Sequence, residues 1–358
     1  MSVKFTTFNV ENLFSRPKIF NLSDPDLATE KLDYISKLQK ELKKDKYDKA
    51  AIVKYANAAR GYFDINKTRG TKPLSWSSED KTYKVRVSSK KDWDGFIDPK
   101  RAEFDFEAVQ NTGKFLRSIN ADIIALCEVE GSEALRNFRS NQLSGKKYDH
   151  DLLIDGNDFR GIDVAILSKL PLGNIRTNIH QKRSPTSKTF SRDCLEVEIK
   201  LPSGESVWIL QNHLLSKLRK TNDPRRKYQA EAVANILSSR YNLKKDLVIV
   251  AGDMNDDLDN DPMSPLKNLK DLHNALDHVG VPPDEQWTYY YKREKQKNRI
   301  DYALVSTPLK ERLKTGGVDR RGMYNIDDLT NGAVKPLKGI TYWGNAASDH
   351  AAVWIEFE

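Results

Sequence analysis

Apolar and polar positions alternate from the first residues of the chain. VKFTTFNVENLF, from Val3, is rich in Phe, Val and Thr and predicts a strand ending near Asn9. Asp122–Val129 (DIIALCEV) is a continuous apolar run that ends in an acid, and it predicts another strand. Shorter patterns predict strands over Asp163–Leu167, Cys194–Ile199, Val207–Gln211, Leu247–Ala251, Ile300–Val305 and Ala352–Phe357. Helical spacing appears in Phe106, Val109, Phe115, Leu116 and Ile119, and the clearest later helix covers Arg225–Leu237. Many strands that end in polar residues, with fewer long helices between them, suit sheets flanked by helices and a site at one sheet edge.

The texture changes between about residues 21 and 105. Leu27, Leu32, Ile35, Leu38 and Leu42, then Ile52, Val53 and Tyr55, recur at helical spacing around the solvated run KELKKDKYDK. Beyond Arg60 the sequence turns often and holds short strand patterns such as TYKVRV. The whole segment reads as a helical, basic insertion in one catalytic domain covering 1–358. Its lysines interleave with Trp76, Tyr83, Trp93 and Phe96, a mixture that can stack bases or simply cap a sheet edge.

Composition narrows the classes. No run approaches the roughly 20 apolar residues of a membrane helix, and the first residues lack the pattern of a secretory signal, so a cytoplasmic protein without membrane insertion is expected. Cys127 and Cys194 lie in strand patterns and read as buried thiols. Two cysteines are too few for a four-thiolate metal site. The formal charge of +8 suits a polyanionic partner such as nucleic acid, although a well-solvated surface explains it equally.

Six segments share one design, in which an apolar strand delivers polar residues at its end. They carry Asn9 and Glu11 (FNVEN), Glu128 (ALCEVE), Asn212 and His213 (WILQNHLLSK), Asp253 and Asn255 (VIVAGDMND), Asp301 (RIDYALVS), and Asp349 with His350 (ASDHAAVW). Rigid strand ends can converge on one site. In this order the six blocks resemble the endonuclease/exonuclease/phosphatase superfamily of deoxyribonucleases, exonuclease III-like enzymes, sphingomyelinases and inositol polyphosphate phosphatases. FNVENLF, the Asp64–Gly70 segment, LLIDGNDFRGIDVAILSK and FSRDCLEVEI are similar to a bacterial subgroup of it.

The resemblance implies a four-layer αββα sandwich: two mainly antiparallel sheets packed face to face, with helices outside. It also implies a Mg²⁺-dependent phosphoesterase, with Mn²⁺ as substitute. A nuclease is the expected form, and a phosphatase or phosphodiesterase for a small, phosphoinositide or phospholipid substrate is the alternative. Hard oxygen donors suit Mg²⁺, which makes Glu128, Glu11 and Asp349 the expected metal ligands. His350, oriented by Asp301, is the leading base or phosphate contact, and Asp253 is the rival base. His213 protonates the leaving oxygen or bonds the phosphate, with Asp163 as its orienting acid. Asn9 and Asn255 are expected to donate to phosphoryl oxygens. Arg160, Arg192 and Lys217 are expected at the substrate phosphate, while Arg226 reads by default as solvated surface.

Overall fold

The computed structural model describes residues 2–13, 25–100, 106–158, 161–217, 220–292 and 294–358. The chain divides into two compact units, Met1–Leu13 with Asp105–Glu358, and Phe14–Phe104.

The second unit has its own small core. Helices α1 (Pro25–Glu41) and α2 (Lys49–Ala58) accompany two antiparallel strand pairs, β2 (Phe63–Gly70) with β5 (Trp93–Pro99) and β3 (Leu74–Ser77) with β4 (Thr82–Val85). Asp48 caps α2 by accepting from the Ala51 N–H. Ile35, Leu38, Ile52, Phe63, Leu74, Trp93 and Ile97 form the buried cluster. The aromatic residues largely turn inward. Trp93 is buried and donates to the Tyr47 hydroxyl, and Trp76 packs edge-on to Tyr83 beneath the Arg60 guanidinium. Phe96 alone of the four aromatics named above is exposed.

The larger unit is built on two six-stranded sheets. One runs β19 (Leu313–Asp319), β20 (Ala352–Phe357), β1 (Val3–Leu13), β6 (Ile123–Val129), β8 (Asp163–Ser168), β7 (His150–Leu153). The other runs β15 (Leu272–Asn274), β18 (Asp301–Ser306), β14 (Leu247–Asp253), β13 (Ser206–His213), β12 (Leu195–Lys200), β9 (Leu172–Arg176). Two short hairpins, β10 (Lys182–Ser184) with β11 (Ser187–Lys188) and β16 (Tyr289–Tyr291) with β17 (Gln296–Asn298), stand outside them.

Period-two alternation explains the layering. Phe5, Ile123, Ala125, Val164 and Ile166 of the first sheet share one buried cluster with Val197, Ile209, Ile249, Ala251 and Val305 of the second. The opposite faces carry helices. Val248 and Val250 pack with Ala230, Val233 and Leu237 of α5 (Asp223–Arg240), and Phe8 meets Phe115 of α3 (Phe106–Ile119) at 4.9 Å. A further helix, α4 (Ser132–Gln142), follows β6. This is the four-layer αββα sandwich expected from the resemblance. Truncating a central residue such as Ile249 to Ala would cost about 2–5 kcal/mol. No described helix is long and apolar enough to cross a membrane, and both cysteines are buried and free.

Each sheet has one parallel pair among its described strands, β1 with β6 and β13 with β14, and the other pairings are antiparallel. Parallel neighbours end at the same edge. The antiparallel partners β20 and β18 begin at that edge, so His350 and Asp301 start where Asn9, Glu128, His213 and Asp253 finish.

Candidate active site

Irregular backbone aims the acids at the strand ends. The β1–β6 ladder is regular to Asn9 and Cys127 and then slips, while the β6–β8 ladder slips between Cys127 and Val129. Glu11 (φ 50°) and Glu128 (φ 67°) lie in the left-handed region, which non-glycine residues rarely enter. Such slips re-aim a side chain, and strained residues of this kind concentrate at functional sites. On the other sheet Gly252 has φ +123°, and a Cβ there would sit 1.8 Å from the Asn212 carbonyl oxygen. Only glycine lets β14 lie that close to β13. Asn255, three residues on, is again left-handed at φ 56°.

Asp253 is the most heavily bonded group of the cluster. Its Oδ1 accepts from the Asn255 backbone N–H at 2.8 Å, and its Oδ2 accepts from Asn9 Nδ2 and Asn255 Nδ2 at 3.1 Å each. The second N–H of Asn9 goes to Glu128 Oε1 at 3.3 Å, and that of Asn255 to the Leu214 carbonyl at 3.0 Å. Both amides are therefore engaged within the site. Asn9 and Asn255, expected at phosphoryl oxygens, instead hold Asp253. His213 Nε2 lies 3.5 Å from Asp253 Oδ2 and 3.7 Å from Glu128 Oε1.

His350 Nδ1 donates to Asp301 Oδ2 at 2.8 Å, as expected, which leaves Nε2 for chemistry. Thr288 steadies Asp301 by accepting from the Ile300 and Asp301 backbone N–H groups, and the Tyr289 ring lies 4.9 Å from the imidazole. Ser348 ties the final block to the first strand. Its Oγ donates to the Asn9 carbonyl at 2.7 Å and accepts from the His350 N–H at 3.0 Å. Asp349 N–H donates to Glu11 Oε2 at 3.1 Å. Thr288, Tyr289 and Ser348 were not singled out from sequence. Ser348 precedes the Asp349–His350 pair and carried that much signal; Thr288 and Tyr289 carried none.

Electrostatics follow from burial. Desolvation, and next the neighbouring Asp301 charge, push the Asp253 carboxyl up to about 7. Burial alone would depress His350, but the carboxylates of Asp301, Asp349 and Asp253 outweigh it and hold the imidazole well above its usual range. Desolvation also raises Asp163 to about 6. Asp163 is buried and its Oδ1 accepts from the Gly156 N–H at 2.7 Å.

The expected phosphate-binding cations fare differently. Arg160 lies outside the described residues. Arg192 is 2% exposed, and its guanidinium bonds Asp158 Oδ2 at 3.1 Å and the Leu214 carbonyl at 2.6 Å. Burial and these partners make it a loop support rather than a direct phosphate contact. Lys217 is half-buried, donates to Asn298 Oδ1 at 2.7 Å, and has its pKa lowered by desolvation. Arg226 overturns the surface reading. It is fully buried, with Asp256 and Asp223 on its guanidinium and an N–H to the Leu215 carbonyl. Gln229 accepts from the Leu215 N–H, and Asn222 donates to the Ser216 carbonyl. The backbone just after His213 is thus held residue by residue.

Two donor sets could hold a cation. The expected acids, Glu11, Glu128 and Asp349, offer the oxygen atoms a hard divalent ion prefers. Of the two, the set whose ligand atoms gather among the described residues is Asp253, Asp301 and His350, with one ligand atom from each within 4.8 Å of the others; Glu11, Glu128 and Asp349 form no such group. Asp301 Oδ1 in that group is buried without a hydrogen-bond partner. Such an atom is costly unless something meets it, so the cluster suits a positive ligand on that side as well.

A model of the Endonuclease/Exonuclease/phosphatase family matches residues 95–350. No curated protein sequence matches the chain. Among solved structures, the fold is similar to an endonuclease/exonuclease/phosphatase from Bacteroides vulgatus (10% identity, TM-score 0.52, 100% of this chain and 99% of that one). It is also similar to one from Beutenbergia cavernae (17% identity, TM-score 0.51, 70% and 66%). D. rerio TDP2 complexed with a single-strand DNA product is a third (15% identity, TM-score 0.51, 70% and 92%). The matched span begins after Asn9 and Glu11, and the fold returns these two to the cluster through β1.

Proposed function

The chain belongs to the endonuclease/exonuclease/phosphatase family, and from that premise we propose that it is a divalent-metal-dependent phosphodiesterase acting on nucleic acid. The observation that carries this reading is the convergence of Asp253, Glu128, His213 and the Asp301–His350 pair at the shared end of the two parallel strand pairs. In this reading 1–358 is one catalytic domain and the second unit is an insertion in it.

Phosphodiesters repel hydroxide, so the site must neutralise charge and remove a proton from water. Glu128 and Glu11, with Asp349 beside Glu11, would hold the cation, Mg²⁺ with Mn²⁺ as substitute. When bound, the ion neutralises the phosphate and stabilises charge that develops on its oxygens. The residues do the rest. Asn9 and Asn255 fix Asp253, Asp301 fixes the His350 ring, and the water's proton is taken within the Asp253–His350 pair. His213 Nε2, on the Glu128–Asp253 side, donates toward the phosphoryl or leaving oxygen. Asp163, expected to orient His213, is instead bonded to the Gly156 N–H, while His213 faces Glu128 and Asp253; Arg160 and Lys217 are assigned to the flanking phosphates.

Nucleic acid is favoured by the net charge of +8. The DNA product held by the D. rerio fold relative points to the same substrate class. The test is a panel of plasmid DNA, single-stranded DNA, RNA, bis-p-nitrophenyl phosphate, sphingomyelin and inositol phosphates, with Mg²⁺, Mn²⁺ or EDTA. Metal-dependent cleavage of a polynucleotide is expected. Release of phosphate from monoesters with every polynucleotide intact would move the assignment to a phosphatase.

A further inference from the structure

Two adjacent residues break the usual rule for large aromatic side chains. Tyr342 and Trp343 are 48% and 43% exposed, and they precede the His350 block by only a few residues. Residues 345–348, between them and Asp349, are fully buried. Exposed aromatics often sit on loose loops, but this loop is fastened. The Asn345 side chain accepts from the Thr341 and Tyr342 N–H groups and donates to the Gly339 carbonyl and Glu107. From α3, Asn111 donates to the Asn345 carbonyl at 2.7 Å and Thr112 to the Ala347 carbonyl at 2.8 Å. The fold holds an aromatic face in water at a defined place, against the hydrophobic effect.

The surroundings say what that face suits. The ammonium of Lys292 stands 4.9 Å over the Trp343 ring. Lys292 directly follows β16, whose first residue, Tyr289, lies against His350. One short segment therefore touches the imidazole at its start and Trp343 just past its end. Three residues of strand span about 10 Å, or roughly three nucleotides of a stacked strand at 3.4 Å each.

Resting on the nuclease reading, we propose that Trp343, flanked by Tyr342 and Lys292, is a stacking platform for one unpaired base of a single-stranded nucleic acid whose scissile phosphate lies at His350. The aromatic face takes the base and the ammonium takes the adjacent backbone phosphate. In a duplex each base face is already covered by its neighbours, so the platform selects strands or ends that are unpaired.

The experiment compares wild type, Trp343→Ala, Trp343→Phe and, as a control from the other unit, Phe96→Ala. The substrate is a 12-nucleotide oligo(dT), read as KM and kcat with Mg²⁺ and as equilibrium binding with EDTA. Trp343→Ala should weaken binding and raise KM by about 5- to 100-fold, as expected for the loss of one stacked base, with kcat little changed. Trp343→Phe should restore most of the loss, and Phe96→Ala should match wild type. Unchanged KM in Trp343→Ala, or an equal loss in Phe96→Ala, overturns the platform. So does Trp343-dependent binding of wild type to phosphatidylcholine vesicles, which would make the pair a lipid-interface anchor. If wild type cleaves no polynucleotide at all, the nuclease reading fails instead, so the two failures are distinguishable.

Discussion

The strand-end cluster and the second unit treat polar and aromatic residues in opposite ways. In the cluster, Asn9, Asp253, Asp301, His213 and His350 are buried and bonded chiefly to one another. In the second unit several ion pairs are exposed, as in Lys37–Asp33 and Lys84–Asp80, and the aromatics build an ordinary small core. Exposed pairs contribute about 0–1 kcal/mol and are replaceable. A buried carboxylate such as Asp253, whose pKa burial and a neighbouring charge push up, opposes folding, and its presence marks a place selected for chemistry. A lysine-rich, aromatic-rich segment therefore says less about function than a handful of buried acids.

The largest expected effects fall on the cluster. Asp253→Ala and His350→Ala should each reduce turnover by about 10³-fold or more with a cooperative thermal transition retained. Near-normal turnover in either variant would equate the two regions. Next, Glu128→Gln should raise the Mg²⁺ concentration for half-maximal activity by about 10- to 100-fold, read by metal titration. An unchanged requirement would favour the Asp253–Asp301–His350 set as the cation's seat.

Stability changes come after these. Arg226→Met strands Asp256 in the interior and should cost about 3–5 kcal/mol in denaturant unfolding, with kcat falling because the backbone after His213 loses its clamp. Ile52→Ala, in the second unit, should cost about 2–5 kcal/mol and leave kcat unchanged. Equal loss of kcat in both would erase the contrast.

The smallest expected effect is a pH dependence. Asp163, at about 6 in the fold against about 3.9 unfolded, binds more protons folded than unfolded in that interval. Its contribution to stability therefore falls as pH rises from about 4 to about 6. In Asp163→Asn that part of the slope should disappear in unfolding measured across this pH range, because the amide does not titrate, while its oxygen can still accept from Gly156 and keep the local structure.

Much of this was legible in the sequence. The interior strands β1, β6, β8, β12, β13, β14, β18 and β20 all carry the apolar patterns that predicted them. Within the two six-stranded sheets, the four strands left unpredicted, β7, β9, β15 and β19, are the four edges. An edge strand buries less and can be short or polar: LKTGGVD of β19 holds two glycines and a lysine, and its burial is only partial. Strand ends were read too early for a related reason. Asn212, His213 and Asp253 looked like residues beyond their strands, yet the parallel ladder continues through His213 and Asp253.

The acids and histidines of the site stood out because each flanks an apolar run, at its end or at its start. The supports did not. Ser348 and Thr288 act through backbone bonds that no local pattern announces, and Arg226 and Arg192 look like surface cations until their distant partners are known. Sequence gives a residue's chemistry, whereas its burial is decided by segments far along the chain.

The central claim is that the Asp301–His350 pair works with a cation to cleave phosphodiesters. It is tested most directly by following cleavage of a labelled oligonucleotide by wild type and Asp301→Asn, with Mg²⁺ and with EDTA. The account predicts cleavage by wild type only when metal is present and a collapse of the rate in Asp301→Asn. Cleavage that survives EDTA, or that proceeds at the wild-type rate without the Asp301 carboxylate, would contradict it.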